Sequence, residues 1–144
     1  MAEFVREIVI AASPETIFGF LTEPEQHLKW EGTEAELDPR PGGMYNVLIA
    51  GAYRAKGEFV EVVPFERVVY TFGWDEPGNP IQPGSTTVEF TLVPEGEKTR
   101  LRLRHYGLPA EAVDQHAHGW THYTDRLAAA AGGADVGPDS GPQM

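Results

Sequence analysis

From residue 44 onward, apolar and polar residues alternate along the chain in five runs. They are "MYNVLIA" (44–50), "YRAKGEFVEVV" (53–63), "RVVYTFGW" (67–74), "STTVEFTLV" (85–93) and "TRLRLRHY" (99–106). A period of two, broken by turn residues, predicts antiparallel strands. A sixth strand is expected at "FVREIVI" (4–10). Between the first strand and the rest, Ser13 is placed to cap a helix, with Pro14 and Glu15 in its first turn. Ile17, Phe18 and Leu21 follow at helical spacing. Pro24 and Glu25 open a second short helix that reaches Leu28 and Trp30. "DPRPGG" (38–43) is a turn. "DEPGNPIQPG" (75–84), with three prolines and two glycines, is a loop, and "PEGEK" (94–98) is a tight hairpin connection. After Pro109 the apolar period changes to that of a helix, which Gly132 and Gly133 stop after Ala131.

The order of elements is therefore strand, two short helices, five strands, long helix. It describes one α+β domain over residues 1–131, with a six-stranded antiparallel sheet and one long C-terminal helix. Residues 132–144, "GGADVGPDSGPQM", carry almost nothing to bury and are expected to form a disordered tail.

The last helix has three histidines in "HAHGWTHYTDRL" (116–127). With each residue turning about 100°, Ala117, Thr124, Leu127, Ala131, His116 and Tyr123 fall within about 60° of Trp120. This is the inward stripe. His118 and His122 lie about 160° away, with the charged positions, and face water. The trio is split between two faces and does not chelate one ion, so no metal is expected. His105 alternates with Leu101 and Leu103, opposite Arg100, Arg102 and Arg104. It is either a core histidine with local hydrogen bonds or, with His116, a polar contact in a cavity.

Width favours a cavity. One helix is about 10 Å across, whereas six strands at about 4.8 Å spacing span more than twice that. The sheet must curl to cover its apolar face, and curling leaves a groove. Tyr70, Phe72 and Trp74 share one face of their strand, with Tyr45 and Val47, Phe90, and Leu103 inward on their own strands.

Composition removes some functions. The 144 residues hold 22 acidic and 11 Lys or Arg residues, a formal charge of −11. That field repels a phosphate backbone and an anionic membrane surface, so neither nucleic acid nor membrane is an expected partner. The period-two arginines are a solvated strand face paired with acids such as Glu89. Without cysteine there is no disulfide, thiolate metal site or cysteine nucleophile. The start lacks a secretory signal and no apolar run reaches membrane-span length, so a cytoplasmic location is expected.

"ASPETIFGFLTEPEQHLKW", "PGGMYNV", "GEFVEVVPFERVVYTFGWD" and "HAHGWTHYTDRLAA", in this order, resemble the activator-of-Hsp90-ATPase-homologue-1-like family. That family lies within the START/Bet v 1-like (SRPBCC) superfamily. The resemblance spans about residues 4 to 131 and implies a helix-grip fold, in which a curved antiparallel sheet wraps round the long C-terminal helix. It also implies a deep apolar cavity that takes lipids, polyketides or other small apolar molecules. Ile17, Phe18, Trp30, Gly42, Gly43, Trp120 and Leu127 match family positions of structural character. Many relatives have a "WWGP"-like motif where this chain has "KWEGT", which leaves the ligand class open.

The expected function is non-catalytic binding of a small hydrophobic ligand. The expected lining is Trp30, Tyr45, Val47, Tyr70, Phe72, Trp74, Phe90, Leu103, His105, His116, Trp120 and Tyr123. No cofactor is expected, and the chain is expected to be a monomer or homodimer. One alternative is a cyclase, aromatase or hydrolase using a cavity His or Tyr, or Glu61 if a bulge turns it inward. The other is a co-chaperone or interaction module.

Overall fold

The structure, a computed structural model, describes residues 2–142. Strand β1 (Ala2–Ile10) is followed by helices α1 (Pro14–Thr22) and α2 (Pro24–His27). Next come β2 (Glu34–Leu37), β3 (Met44–Ile49), β4 (Tyr53–Val63), β5 (Arg67–Trp74), β6 (Thr86–Glu95) and β7 (Lys98–Leu108). A 3-10 turn, Ala110–Ala112, leads into α3 (Val113–Ala131). The strands form one antiparallel sheet in the order β1-β7-β6-β5-β4-β3-β2, curved around α3 in a helix grip.

The sheet has seven strands, not six. The extra one, β2, is the four-residue "EAEL", paired to β3 alone at the sheet edge. Four residues with two glutamates give too short an alternation to stand out from a loop.

Local signals set the small helices as the sequence suggests. The Ser13 hydroxyl accepts the Thr16 N–H at 3.2 Å, and Ile17, Phe20 and Leu21 are buried. Trp30, just after α2, is fully buried, and its indole N–H donates to the Phe20 carbonyl at 2.8 Å. On α3 the inward stripe is Trp120, Tyr123, Thr124, Leu127 and Ala130.

Opposite α3, the sheet's outer face is a charged ladder. Arg104 lies between Glu3 and Glu89 at 3.0 and 3.2 Å. Arg67 bridges Glu61 and Glu89, both at 2.7 Å. Such half-solvated pairs contribute about 1 kcal/mol or less each; their main effect is to fix which face points outward. The β4–β5 register shifts between Phe59 and Glu61. That bulge keeps Phe59 inside and turns Glu61 out to Arg67, away from the interior.

The chain after α3 does not hang free. The Arg126 guanidinium donates to the carbonyls of Val136 and Gly137 at 3.0 and 2.9 Å, while its Nε holds the Trp30 carbonyl at 2.8 Å. Asp139 is only 5% exposed. The tail expected to be disordered spans 132–144, of which 143 and 144 lie outside the described residues; the contacts of 136–141 join groups far apart along the chain, which composition does not report. Among the described residues, no helix is long and apolar enough to cross a membrane.

Candidate ligand cavity

The space between sheet and helix divides into a solid half and a hollow half. In the solid half, Trp30, Tyr45, Phe59 and Phe90 are all at most 1% exposed. Tyr45 and Tyr70 stack at 4.0 Å, and Trp30 meets Phe90 edge-on. Val47, Leu103 and His105 are likewise sealed, each at 0% exposure. These seven expected lining residues, Trp30, Tyr45, Val47, Tyr70, Phe90, Leu103 and His105, are therefore packed core. A period-two pattern tells which way a side chain points but not where along the strand the packing stops.

The hollow half is an open cavity of about 1090 Å³. Five expected residues line it: Phe72 and Trp74 from β5, and His116, Trp120 and Tyr123 from α3. Ile49 and Ala50 at the end of β3, Ile81 from the 75–84 loop and Gly119 of α3 complete much of the wall. A methyl group added at Gly119 would have nothing within 4 Å. Ile81 is held in the cavity wall because its carbonyl accepts the Trp74 backbone N–H at 2.7 Å. That approach requires Gly73, whose Cβ would lie 1.8 Å from the Gln82 carbonyl oxygen.

Two tryptophans fix two histidines. The Trp120 indole donates to His105 Nδ1 at 2.9 Å. The proton of His105 is then on Nε2, which donates to the Thr86 hydroxyl at 2.8 Å, and that hydroxyl donates to the Phe72 carbonyl at 2.7 Å. His116 repeats the scheme. Its Nδ1 donates to the Ala112 carbonyl at 2.9 Å, and its Nε2 accepts the Trp74 indole N–H at 3.2 Å. Both rings are thus neutral, each with one donor and one acceptor in use. Burial, with the neighbouring His116, pushes the His105 pKa down to about 3. Burial also lowers that of His116, partly offset by the bond to Ala112.

A second polar group lies deeper and was not anticipated. Glu31, 3% exposed, is on the cavity wall. Its Oε1 meets His27 Nε2 at 2.9 Å and the Tyr45 hydroxyl at 3.4 Å. His27 Nδ1 and the Tyr70 hydroxyl are buried there and, among the described residues, make no geometric hydrogen bond. Burial, then the charge of Glu31, raises the pKa of Tyr45 and Tyr70 well above the usual phenol value, so both stay protonated. A glutamate next to a tryptophan in a turn gives no periodic signal; the departure "KWEGT" was its only mark in the sequence.

Next to the wall residues Ala50 and Tyr123, the buried Asp139 uses Oδ2 to accept the N–H groups of Gly32 and Ala50 at 2.8 and 2.9 Å. Its Oδ1 accepts the Tyr123 hydroxyl at 2.8 Å and the Gly141 N–H at 3.0 Å. Burial alone would raise the Asp139 pKa, but these four donors hold it below the usual carboxylate value. His118 is exposed at the cavity rim. His122 is half-buried against the Tyr123 ring rather than fully in water. Among the described residues no group of His, Asp and Glu is arranged to hold a metal ion.

Comparison with known proteins agrees with this architecture. An AHSA1-like protein of Rhizobium etli is 47% identical, with 99% of this chain and 92% of that one aligned and a TM-score of 0.74. The Aha1 dimer of Colwellia psychrerythraea is 23% identical over 95% of this chain and 98% of its own, with a TM-score of 0.74. DynU16, a putative protein of the dynemicin biosynthetic locus, has a TM-score of 0.78 at 20% identity. That likeness covers 96% of this chain and 49% of DynU16. No curated protein matches. Residues 11–132 match the family described as activator of Hsp90 ATPase homolog 1-like protein, and the chain belongs to that family.

Proposed function

We propose that this protein binds a small, largely apolar molecule in the cavity between its sheet and C-terminal helix, without transforming it. The observation that carries this reading is an aromatic-walled hollow of about 1090 Å³ beside a tightly packed core. The neutral, fully engaged states of His105 and His116 support a binding role, since neither ring has a free nitrogen for proton transfer. Micromolar affinity corresponds to about 8 kcal/mol. At roughly 25 cal/mol per Å², that is on the order of 330 Å² of apolar ligand surface before any cost of association. A ligand of naphthalene size or larger, helped by a polar contact, meets that requirement.

The test is a titration with small apolar compounds, 2-naphthamide among them, followed by tryptophan fluorescence and thermal shift. Binding in the micromolar range is expected. Gly119→Leu is expected to weaken it at least tenfold while helix content and Tm are kept, because the new side chain fills open space. If no compound quenches fluorescence or raises Tm, the reading fails.

One observation favours a second reading, an enzyme of cyclase or hydrolase type. Glu31 is buried on the cavity wall, in contact with the His27 imidazole and the Tyr45 hydroxyl. Such a set is suited to proton transfer. If it acts so, Glu31→Gln removes turnover of β-diketone or ester substrates while leaving 2-naphthamide affinity within about threefold. Absence of any turnover by the unchanged chain removes this reading.

A further inference from the structure

The Asp139 carboxylate is bound as a ligand would be. Three of its four donors belong to separate parts of the domain: Gly32 before β2, Ala50 after β3, and Tyr123 on α3. The fourth, Gly141, is the tail's own. Gly32 and Ala50 both have positive φ, +91° and +52°. For alanine this left-handed conformation costs on the order of 1 kcal/mol. The strained turn at Ala50 and the glycine turn at Gly32 bring two backbone donors to one oxygen. Ala50, Tyr123 and Gly141 line the cavity, so three of the four donors to the carboxylate belong to its wall.

We propose that the N–H groups of Gly32 and Ala50 and the Tyr123 hydroxyl form a carboxylate-binding site. Asp139 occupies it as an internal stand-in, and the cavity's ligand is an amphipathic carboxylic acid that displaces the tail. This rests on the ligand-binding reading above and names the ligand's chemistry. If Asp139 left without a replacement, the buried Gly32 N–H would go unpaired, at roughly 1–3 kcal/mol, and the half-buried Ala50 N–H would lose its partner at a smaller cost. An incoming carboxylate restores those bonds. The exchange also returns Asp139 to water, so no extra negative charge is buried in a chain of net charge −11. Residues 134–142 have little apolar surface to lose on release. Only Val136 among them packs against the core, and Arg126 holds the stretch through backbone carbonyls.

The test has two arms, both on full-length chain. In the first, sodium acetate is titrated into the unchanged protein, Asp139→Ala and the isosteric Asp139→Asn, and backbone amides are followed by NMR. Acetate is expected to shift the Gly32 and Ala50 signals saturably in Asp139→Ala, at concentrations at least tenfold lower than in the unchanged chain. Adding Tyr123→Phe should weaken that response several-fold. In the second arm, 2-naphthoate is compared with its neutral counterpart 2-naphthamide. The Asp139 variants are expected to bind naphthoate at least tenfold more tightly and naphthamide less than twofold more tightly.

No saturable acetate response at Gly32 and Ala50 in either variant overturns the site. Equal gains for both naphthalenes would make Asp139 a tail fastener only, which also overturns it. If naphthamide binds nowhere while acetate still titrates the two amides, the cavity reading fails and the anion site stands.

Discussion

The two histidines hold their tryptophans in place only while they are neutral, and this makes their contribution testable by mutation and by pH. Trp120→Phe keeps the aromatic bulk but leaves His105 Nδ1 buried without a donor. A loss of about 1–3 kcal/mol is expected in urea unfolding. In a double-mutant cycle with His105→Leu the two losses are expected to be less than additive, because one bond is counted twice. Full additivity would show that the bond contributes nothing.

The pH response follows from the direction of the shifts. The unfolded imidazoles take up protons near pH 6.5, whereas in the folded state His105 does so only at about 3 and His116 below its ordinary value. Between these limits the unfolded state binds more protons, so stability is complete at neutral pH and falls as pH drops below 6.5. Each depressed histidine contributes a slope of about 1.4 kcal/mol per pH unit within its own window. Denaturant midpoints from pH 7 to 4 should decline, and less steeply in His105→Leu. An identical slope in that variant would contradict the assignment.

His105 and His116 were legible from periodicity, one on a strand face and one on a helix stripe. Glu31 was not, because it lies in a turn without periodicity, and Arg126 and Asp139 were not, because they act through backbone groups or partners distant in sequence. Gly32 and Ala50 carry no side-chain signal for the carboxylate 107 and 89 residues away.

Among the elements, the five longer central and C-terminal strands and both ends of the helical region were readable from alternation and capping residues. The four-residue β2 was not. The 75–84 loop was recognisable as irregular from its prolines and glycines, but the placement of Ile81 in the cavity wall was not. That placement depends on a single close approach. Gly73→Ala places a methyl group into the Gln82 backbone, and the loop must move away. Faster hydrogen exchange is expected at the Trp74 amide, now without the Ile81 carbonyl, together with protease cleavage within 75–84. Unchanged protection of Trp74 would mean that the loop adapts without lifting.

For the molecule as a whole, the mismatch in width between one helix and a broad sheet anticipated a groove, and the helix grip has one. Width alone does not set the extent of that groove. Large rings fill the end around Tyr45, Tyr70 and Phe90, and the opening is confined to the other end, where Ile81 and the tail border it. The interior is thus rigid where aromatic packing is dense and accessible where a loop and a terminal segment meet.

Gly119 offers a way into that interior. The sequence contains no cysteine, so Gly119→Cys would carry the molecule's single thiol, on a helix face where a β-carbon meets nothing within 4 Å. One maleimide fluorophore or spin label attached there would report on the chamber wall alone.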